Sequence, residues 1–237
     1  MAGLGRRDHL QDVAPDRAAN RLQVRHFVRF QHIEINFKGI TVTLIGHPAG
    51  HDRLAVFPGS FNPPTLAHLE LARTALGSVE TVVFVLPRQF PHKQYEGTTL
   101  DQRIEMLRLS LDNEPRFAIG ISEGGLFIEI ARECRALWPE AQIDFLCGRD
   151  AAERIAGWDY GDQDAFPRQL EEFGLLVAPR SGEYCIPPQF AGRVRQLPFV
   201  PHEVSSSEVR RRVAAGEEWQ DLVPGSIRHL VASAYSR

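Results

Sequence analysis

The chain has 237 residues, 43% of them apolar and 24% charged, with a formal net charge of −3. That length fits one large domain or one domain with an appendage, and the composition is that of an ordinary globular protein. It excludes a general nucleic-acid coat, so any anion site must be built locally. No apolar run reaches membrane-spanning length, Met1-Ala-Gly-Leu-Gly-Arg-Arg-Asp8 lacks the apolar stretch of a secretory signal, and Cys134, Cys147 and Cys185 form no Cys-x-x-Cys pair. A membrane span, a disulfide framework and a structural zinc site are therefore not expected, and the cytoplasm is the default location.

Residues 1–25 are polar and Arg-rich and read as a loose arm or a marginal helix. Ile33, Ile35 and Phe37 then alternate with polar residues, Lys38-Gly39 intervenes, and Ile40, Val42 and Leu44 alternate again, which predicts two strands joined by a short turn. Gly46 to Asp52 has linker composition, so the chain divides into an N-terminal extension, 1–50, and a main domain, 51–237.

From there strand and helix patterns alternate. Leu54–Phe57 reads as a buried strand and Leu66–Leu76 as a helix. Thr81–Leu86 is an apolar strand, followed by a loop from Pro87 to Thr98 containing Pro91-His92-Lys93. Thr99 can cap a helix over Leu100–Leu111, whose Ile104, Leu107 and Leu111 share a face. Phe117–Ile121 and Leu126–Leu137 form the next strand and helix. Ile143–Leu146 leads into Cys147-Gly148-Arg149-Asp150, Leu175–Ala178 into Pro179-Arg180-Ser181-Gly182, and Val194–Leu197 reads as a further strand. The end, Ser207 to Tyr235, reads as helical with a break at Pro224-Gly225. Repeated βα units predict an α/β fold: a Rossmann-like open parallel sheet with helices on both faces, plus a β-hairpin in the N-terminal extension. Ligands of such sheets bind beyond the carboxyl ends of the strands, where the strand order reverses.

Two segments carry the chemistry. In Gly59-Ser60-Phe61-Asn62-Pro63-Pro64-Thr65-Leu66-Ala67-His68 a strand runs through a Gly/Pro turn into a helix N-terminus. Gly59 permits close backbone approach, and Thr65 and His68, three residues apart, share a face and can donate to phosphate oxygens. The plainer reading is a strand–helix turn with a solvent-exposed histidine. In Ser205-Ser206-Ser207-Glu208-Val209-Arg210, Ser205 and Glu208 have capping-box spacing, and the first-turn N–H groups, the hydroxyls and the Arg210 guanidinium make a second anion site. Its plainer reading is a well-capped helix. Two such helix starts facing each other would suit a polyphosphate.

The first segment resembles the (H/T)xGH signature of the nucleotidylyltransferase superfamily and the second its C-terminal ISSTxIR signature. Within the superfamily the chain is most similar to bacterial-type nicotinate-nucleotide adenylyltransferases. Pro91-His92-Lys93 resembles that family's PPHK loop, and Asp101-Gln-Arg103-Ile-Glu-Met106-Leu107 its R-x-x-M-L helix. Gly148-Arg-Asp150 with Trp158 resembles the G-x-D…W segment, Arg180-Ser-Gly182 the R-P-G turn, and Val223-Pro224…Ile227…Leu230…Tyr235 the ending. The likeness covers about residues 53–237.

The resemblance implies transfer of AMP from ATP to a pyridine mononucleotide, nicotinate mononucleotide favoured over nicotinamide mononucleotide, with release of pyrophosphate in NAD biosynthesis. His68 and Thr65 would bind the ATP phosphates, and Lys93 and Arg210 would add positive charge. Gly59, Ser60, Phe61, Asn62, Gly148, Asp150, Ser205, Ser206 and Ser207 would line the ATP site. Lys93, Gly125, Trp158 and Arg180 would meet the acceptor, with Trp158 over the pyridine ring. Mg²⁺ would arrive with ATP, so no protein metal cage is expected. Arg103 would brace the Lys93 loop, and Asp150 would also cap a helix over Ala151–Ala156. His92 and His202 read as solvated loop residues. The partners implied are ATP and a small phosphorylated acceptor, with no nucleic acid or membrane and with room for a homo-oligomer.

The chain departs from the family at four places. Ala67 stands for the signature's glycine, Thr65 for the more usual His, and Arg149 for a small residue. Gly124-Gly-Leu-Phe-Ile-Glu129-Ile-Ala131 replaces an S-x-T-x-D-T-L-like run, leaving the N–H groups near Gly125 as candidates for a carboxylate. The rival expectations are another superfamily transferase, of the pantetheine-phosphate adenylyl- or cytidylyltransferase type, and a catalytically silent nucleotide-binding module.

Overall fold

Apolar runs such as Thr81-Val-Val-Phe-Val-Leu-Pro87, buried along their whole length, can only be strands covered on both faces, and they form the middle of one sheet. The computed structural model describes residues 32–37, 40–46, 52–89, 97–157, 165–179, 185–186, 188–198 and 204–236. The predicted features at Pro91-His92-Lys93, Trp158, Arg180-Ser181-Gly182 and His202, and the N-terminal arm, lie outside these residues.

Eight strands among the described residues are β1 (His32–Phe37), β2 (Ile40–Ile45), β3 (Arg53–Pro58), β4 (Thr81–Pro87), β5 (Phe117–Ser122), β6 (Gln142–Gly148), β7 (Gly174–Ala178) and β8 (Val194–Gln196). They form one sheet in the order β1-β2-β5-β4-β3-β6-β7-β8. From β5 to β8 every pairing is parallel. The chain builds outward from β3 through β4 to β5, then returns to the other side of β3 for β6, β7 and β8. The strand order therefore reverses between β3 and β6, and a crevice opens beyond their carboxyl ends. The predicted N-terminal hairpin pairs from His32↔Ile45 to Phe37↔Ile40, and β2 joins β5 antiparallel from Val42↔Ser122 to Ile45↔Ile119. The hairpin thus continues the main domain's sheet.

Seven α-helices among the described residues accompany these strands: α1 (Leu66–Ala75), α2 (Leu100–Leu111), α3 (Phe127–Leu137), α4 (Arg149–Ala156), α5 (Ala165–Glu172), α6 (Ser206–Ala215) and α7 (Arg228–Tyr235). The period-two alternation of the strands divides the core. Ala55, Phe57, Val82, Phe84 and Leu86 meet α1 and α2 on one face, while Val56, Val83 and Val85 meet α3, α4 and α5 on the other. A third cluster joins α2 to α6 and α7 through Met106, Val209, Val213, Trp219, Val223, Ile227 and Val231.

Three local expectations are corrected. Asp150 is not a cap: Gly148 is, and Asp150 lies in the first turn of α4, where its charge complements the helix dipole. The C-terminal region does not run as helix up to Pro224. α6 stops at Gly216, whose left-handed φ of 70° ends it, and α-helix resumes only at Arg228. α5 was not predicted at all; an eight-residue helix with Phe166 and Leu170 as its buried residues offers too short a periodic pattern.

One buried charge has a measurable consequence. Glu133, on α3, is 6% exposed; its Oε1 accepts from the Gly124 N–H at 2.9 Å, and its Oε2 has no hydrogen-bond partner. The residue borders a cavity of about 10 Å³ between α3 and strands β2, β4 and β5. Burial pushes its pKa up, against the pull of its hydrogen bonds. A carboxyl whose folded pKa exceeds its unfolded value favours folding at low pH, and that contribution is lost as pH rises through the raised value. Glu133→Gln is therefore expected to match the wild type at about pH 4 and to be more stable by on the order of 1 kcal/mol near neutrality. Thermal melts of both proteins across that range test it; a difference independent of pH would show that the charge is not the cause.

Candidate active site

The loop after β3 is built around an aromatic plug. Phe61 has a positive φ of 44°, is 1% exposed, and sets its ring edge-on to Phe57 at 5.4 Å and to His68 at 5.3 Å between centroids. A Cβ on Gly59 would lie 2.8 Å from that ring, so the close approach that the glycine permits is to Phe61. Gly59 N–H donates to the Val85 carbonyl at 3.0 Å, tying the loop to β4. Phe61 was expected among the ATP-lining residues; its side chain belongs to the core instead.

Thr65 is the N-cap of α1 and is completely buried. Its backbone N–H donates to His68 Nδ1 at 3.0 Å, and its hydroxyl lies 2.7 Å from the same nitrogen. A backbone N–H can only donate, so Nδ1 must accept. The imidazole is therefore neutral and carries its proton on Nε2. The direct phosphate donor expected at Thr65 is replaced by a positioning role, in which Thr65 sets the tautomer and aim of a half-buried His68.

The second helix start comes to the same place. Ser206 Oγ donates to the Pro63 carbonyl at 2.8 Å, Arg210 Nη1 donates to the Asn62 carbonyl at 2.7 Å, and the Leu66 N–H reaches the Leu222 carbonyl at 3.0 Å. Segments about 140 positions apart thus converge, as a shared polyphosphate site requires. Ser205 caps α6 by accepting from the Glu208 N–H at 3.1 Å. The reciprocal half of the expected capping box is absent. Arg211 and Arg212 instead grip the Glu208 carboxylate and hold it well below the usual range, at about 2. Ser207 Oγ accepts from Arg210 Nη2 at 3.3 Å. The three serine hydroxyls therefore brace the site, and the N–H groups of Ser206 and Ser207, which have no partner within the helix, are what α6 can offer an anion.

Arg103 and Asn62 complete the frame. Arg103, 2% exposed, donates from Nη1 to the Ser60 carbonyl at 3.2 Å and from Nε to the Thr99 carbonyl at 3.3 Å. Among the described residues it braces the Gly59–Asn62 loop, whereas the Lys93 loop was expected. Asn62 is 5% exposed, and its side-chain oxygen accepts from Thr98 and Tyr235, so it holds the loop and does not face a ligand with its side chain. The tie to Tyr235 spans 173 positions and has no local sequence signal.

Across the crevice, Gly148 caps α4 at the end of β6, and a Cβ there would meet nothing within 4 Å. Asp150 is exposed beside it. At the end of β5 the N–H groups of Gly125 and Leu126 do hold a carboxylate, but it is the chain's own: Glu129 Oε2 accepts from them at 3.0 and 2.9 Å. Among the described residues no group of three His, Cys, Asp or Glu side chains is placed to hold a metal ion, and no helix is long and apolar enough to cross a membrane. The arrangement brings a neutral imidazole, a guanidinium and a helix start together at the carboxyl end of β3, beside the sheet's reversal point. That suits binding and alignment of a phosphate chain.

Residues 56–212 match the model of the cytidylyltransferase-like family. The chain is 30% identical over 193 residues to a protein of Gloeobacter violaceus named probable nicotinate-nucleotide adenylyltransferase, covering 74% of this chain and 91% of that one. It is 31% identical over 194 residues to the protein of the same name from Symbiobacterium thermophilum, covering 76% and 92%. Among solved structures it resembles Plasmodium falciparum nicotinic acid mononucleotide adenylyltransferase complexed with NaAD, with a TM-score of 0.57 and 19% identity over 78% of this chain and 94% of that one. The same fold is found in that enzyme complexed with APC.

Proposed function

We infer that this chain, which belongs to the cytidylyltransferase-like family and is a nucleotidyltransferase, transfers the adenylyl group of ATP to nicotinate mononucleotide, releasing pyrophosphate and forming the dinucleotide. The observation that carries the reading is the convergence of α1 and α6 on the crevice at the reversal point. There the hydrogen bonds from Ser206 to Pro63 and from Arg210 to Asn62 hold the start of α6 against the loop that leads into His68. In this reaction the acceptor's phosphate is the nucleophile and attacks the α-phosphorus in line, while the bond to the β-phosphate oxygen breaks. The protein has only to align two anions and stabilise charge on the leaving pyrophosphate. His68 would donate from Nε2 to a phosphate oxygen, and Arg210 and the Ser206 and Ser207 N–H groups would hold the β- and γ-phosphates. Mg²⁺ would enter on ATP and neutralise the phosphate oxygens, which fits a site whose near side chains are cations and neutral donors. Lys93, Trp158 and Arg180 are proposed to serve the acceptor, and Gly148 and Asp150 the nucleoside.

A second acceptor reading rests on one contact. Glu129 already occupies the Gly125 and Leu126 N–H groups, so a ring carboxylate there would meet a carboxylate, whereas the amide of nicotinamide mononucleotide could donate to it. Pyrophosphate release from ATP and magnesium, with nicotinate mononucleotide, nicotinamide mononucleotide, phosphopantetheine or no acceptor, separates these cases. Release with nicotinate mononucleotide at several times the rate with the amide supports the main reading, and the reverse order supports the second. Release only with phosphopantetheine, or ATP binding without release for any acceptor, would overturn both.

A further inference from the structure

We propose that Tyr235, on the last turn of α7, is a positioning residue that acts through Asn62 on the loop and the arginine that hold the triphosphate. The geometry stands by itself, and the ligand assignment rests on the adenylyl-transfer reading above.

Asn62 is the junction. Its Oδ1 accepts from Thr98 Oγ1 at 2.5 Å and from the Tyr235 hydroxyl, and its main-chain carbonyl accepts from Arg210 Nη1 at 2.7 Å. One residue thus links the loop after β3, the approach to α2, the end of α7 and the guanidinium on α6. The Tyr235 ring is fixed as well. Gly97, with φ of 92°, turns the chain so closely that a Cβ there would lie 3.4 Å from the ring's Cε1. Burial raises the phenol's pKa, so the hydroxyl remains a donor.

The hydroxyl's role is separable from that of the ring. α7 is anchored by Val231 and by the ring of Tyr235 in the cluster it shares with α6 and α2. Removing the hydroxyl alone leaves that packing in place and takes one of two donors from a buried amide oxygen. The Asn62 Oδ1 then loses its tie to the end of α7 while keeping that to Thr98, and the carbonyl that orients Arg210 is less firmly restrained. A change of a few tenths of an ångström there moves the guanidinium relative to the α6 N-terminus, where the alignment of the phosphates is decided.

The test uses the full chain with Tyr235→Phe, Thr98→Val and Thr98→Ser. Four quantities are read: the Kd for ATP with magnesium by titration calorimetry, kcat and KM for pyrophosphate release, and Tm. Loss of one hydrogen bond is expected to weaken ATP binding about three- to tenfold in Tyr235→Phe and in Thr98→Val. kcat should fall by a similar factor, the acceptor's KM should stay near its wild-type value, and Tm should move by only a few degrees. Thr98→Ser, which keeps the hydroxyl, should restore what Thr98→Val loses. Wild-type ATP affinity and kcat in Tyr235→Phe, with or without a lower Tm, would overturn the proposal and leave the tyrosine a scaffold residue. A wild-type protein that binds ATP yet turns over no pyridine nucleotide would defeat the functional reading alone, because the affinity comparison still decides the role of Tyr235.

Discussion

Replacing His68 with alanine is expected to lower kcat by about 10²–10³, the usual effect of removing one preorganised donor to a developing oxyanion. The folded state should lose far less. Alanine removes the acceptor for the Thr65 N–H at the start of α1, a cap worth about 1 kcal/mol. The two jobs of the imidazole can be told apart by substitution. In asparagine the side-chain oxygen can take the place of Nδ1 and accept from Thr65, but nothing reaches the position of Nε2. Glutamine can present an N–H near Nε2 while giving up the cap. Asparagine should therefore recover stability without turnover, and glutamine some turnover without stability. Single-turnover rates alongside thermal melts would show the pattern. An alanine variant retaining more than about a tenth of wild-type turnover would remove His68 from the chemistry.

The second large effect is expected at Arg210. Its guanidinium donates to the Asn62 carbonyl at 2.7 Å and to Ser207 Oγ at 3.3 Å, so it both holds the loop and supplies fixed positive charge. Arg210→Ala should lower kcat/KM for ATP by about 10², through loss of charge and loosening of the loop together. Arg210→Lys restores the charge but not the planar fork that spans the two partners, and should remain about tenfold impaired. Steady-state assays with ATP varied at saturating acceptor measure both. Full activity in the alanine variant would mean that Arg210 is no part of the ATP site. Full activity in the lysine variant would mean that charge alone is used there.

Much of this molecule follows from local pattern. The apolar runs at Thr81–Pro87 and Gly174–Ala178, the periodic helix Leu100–Leu111 with its Thr99 cap, and the helix starts at Thr65 and Ser205 depend on residues within a few positions of each other. Hydrophobic period, capping and turn chemistry are short-range effects, so they can be read along the chain. The strand–loop–helix order also implied where a ligand would sit, because a parallel sheet built from βα units brings those loops to one rim.

The use made of each side chain was decided by tertiary structure. Thr65, Ser206 and Ser207 read as phosphate donors because their polar groups stand beside helix N-termini, and the resemblance put Asn62 among the residues lining the ATP site. In the fold those groups meet His68, Tyr235, Pro63 and Arg210, partners contributed in part by segments more than a hundred positions away. Gly59, by contrast, answers to the nearby Phe61 ring, and the Gly125 N–H to Glu129 within the same helix start. Residue type sets what a group can donate or accept. Which partner satisfies it in a close-packed interior depends on what the chain returns to that point, and no local pattern encodes that return.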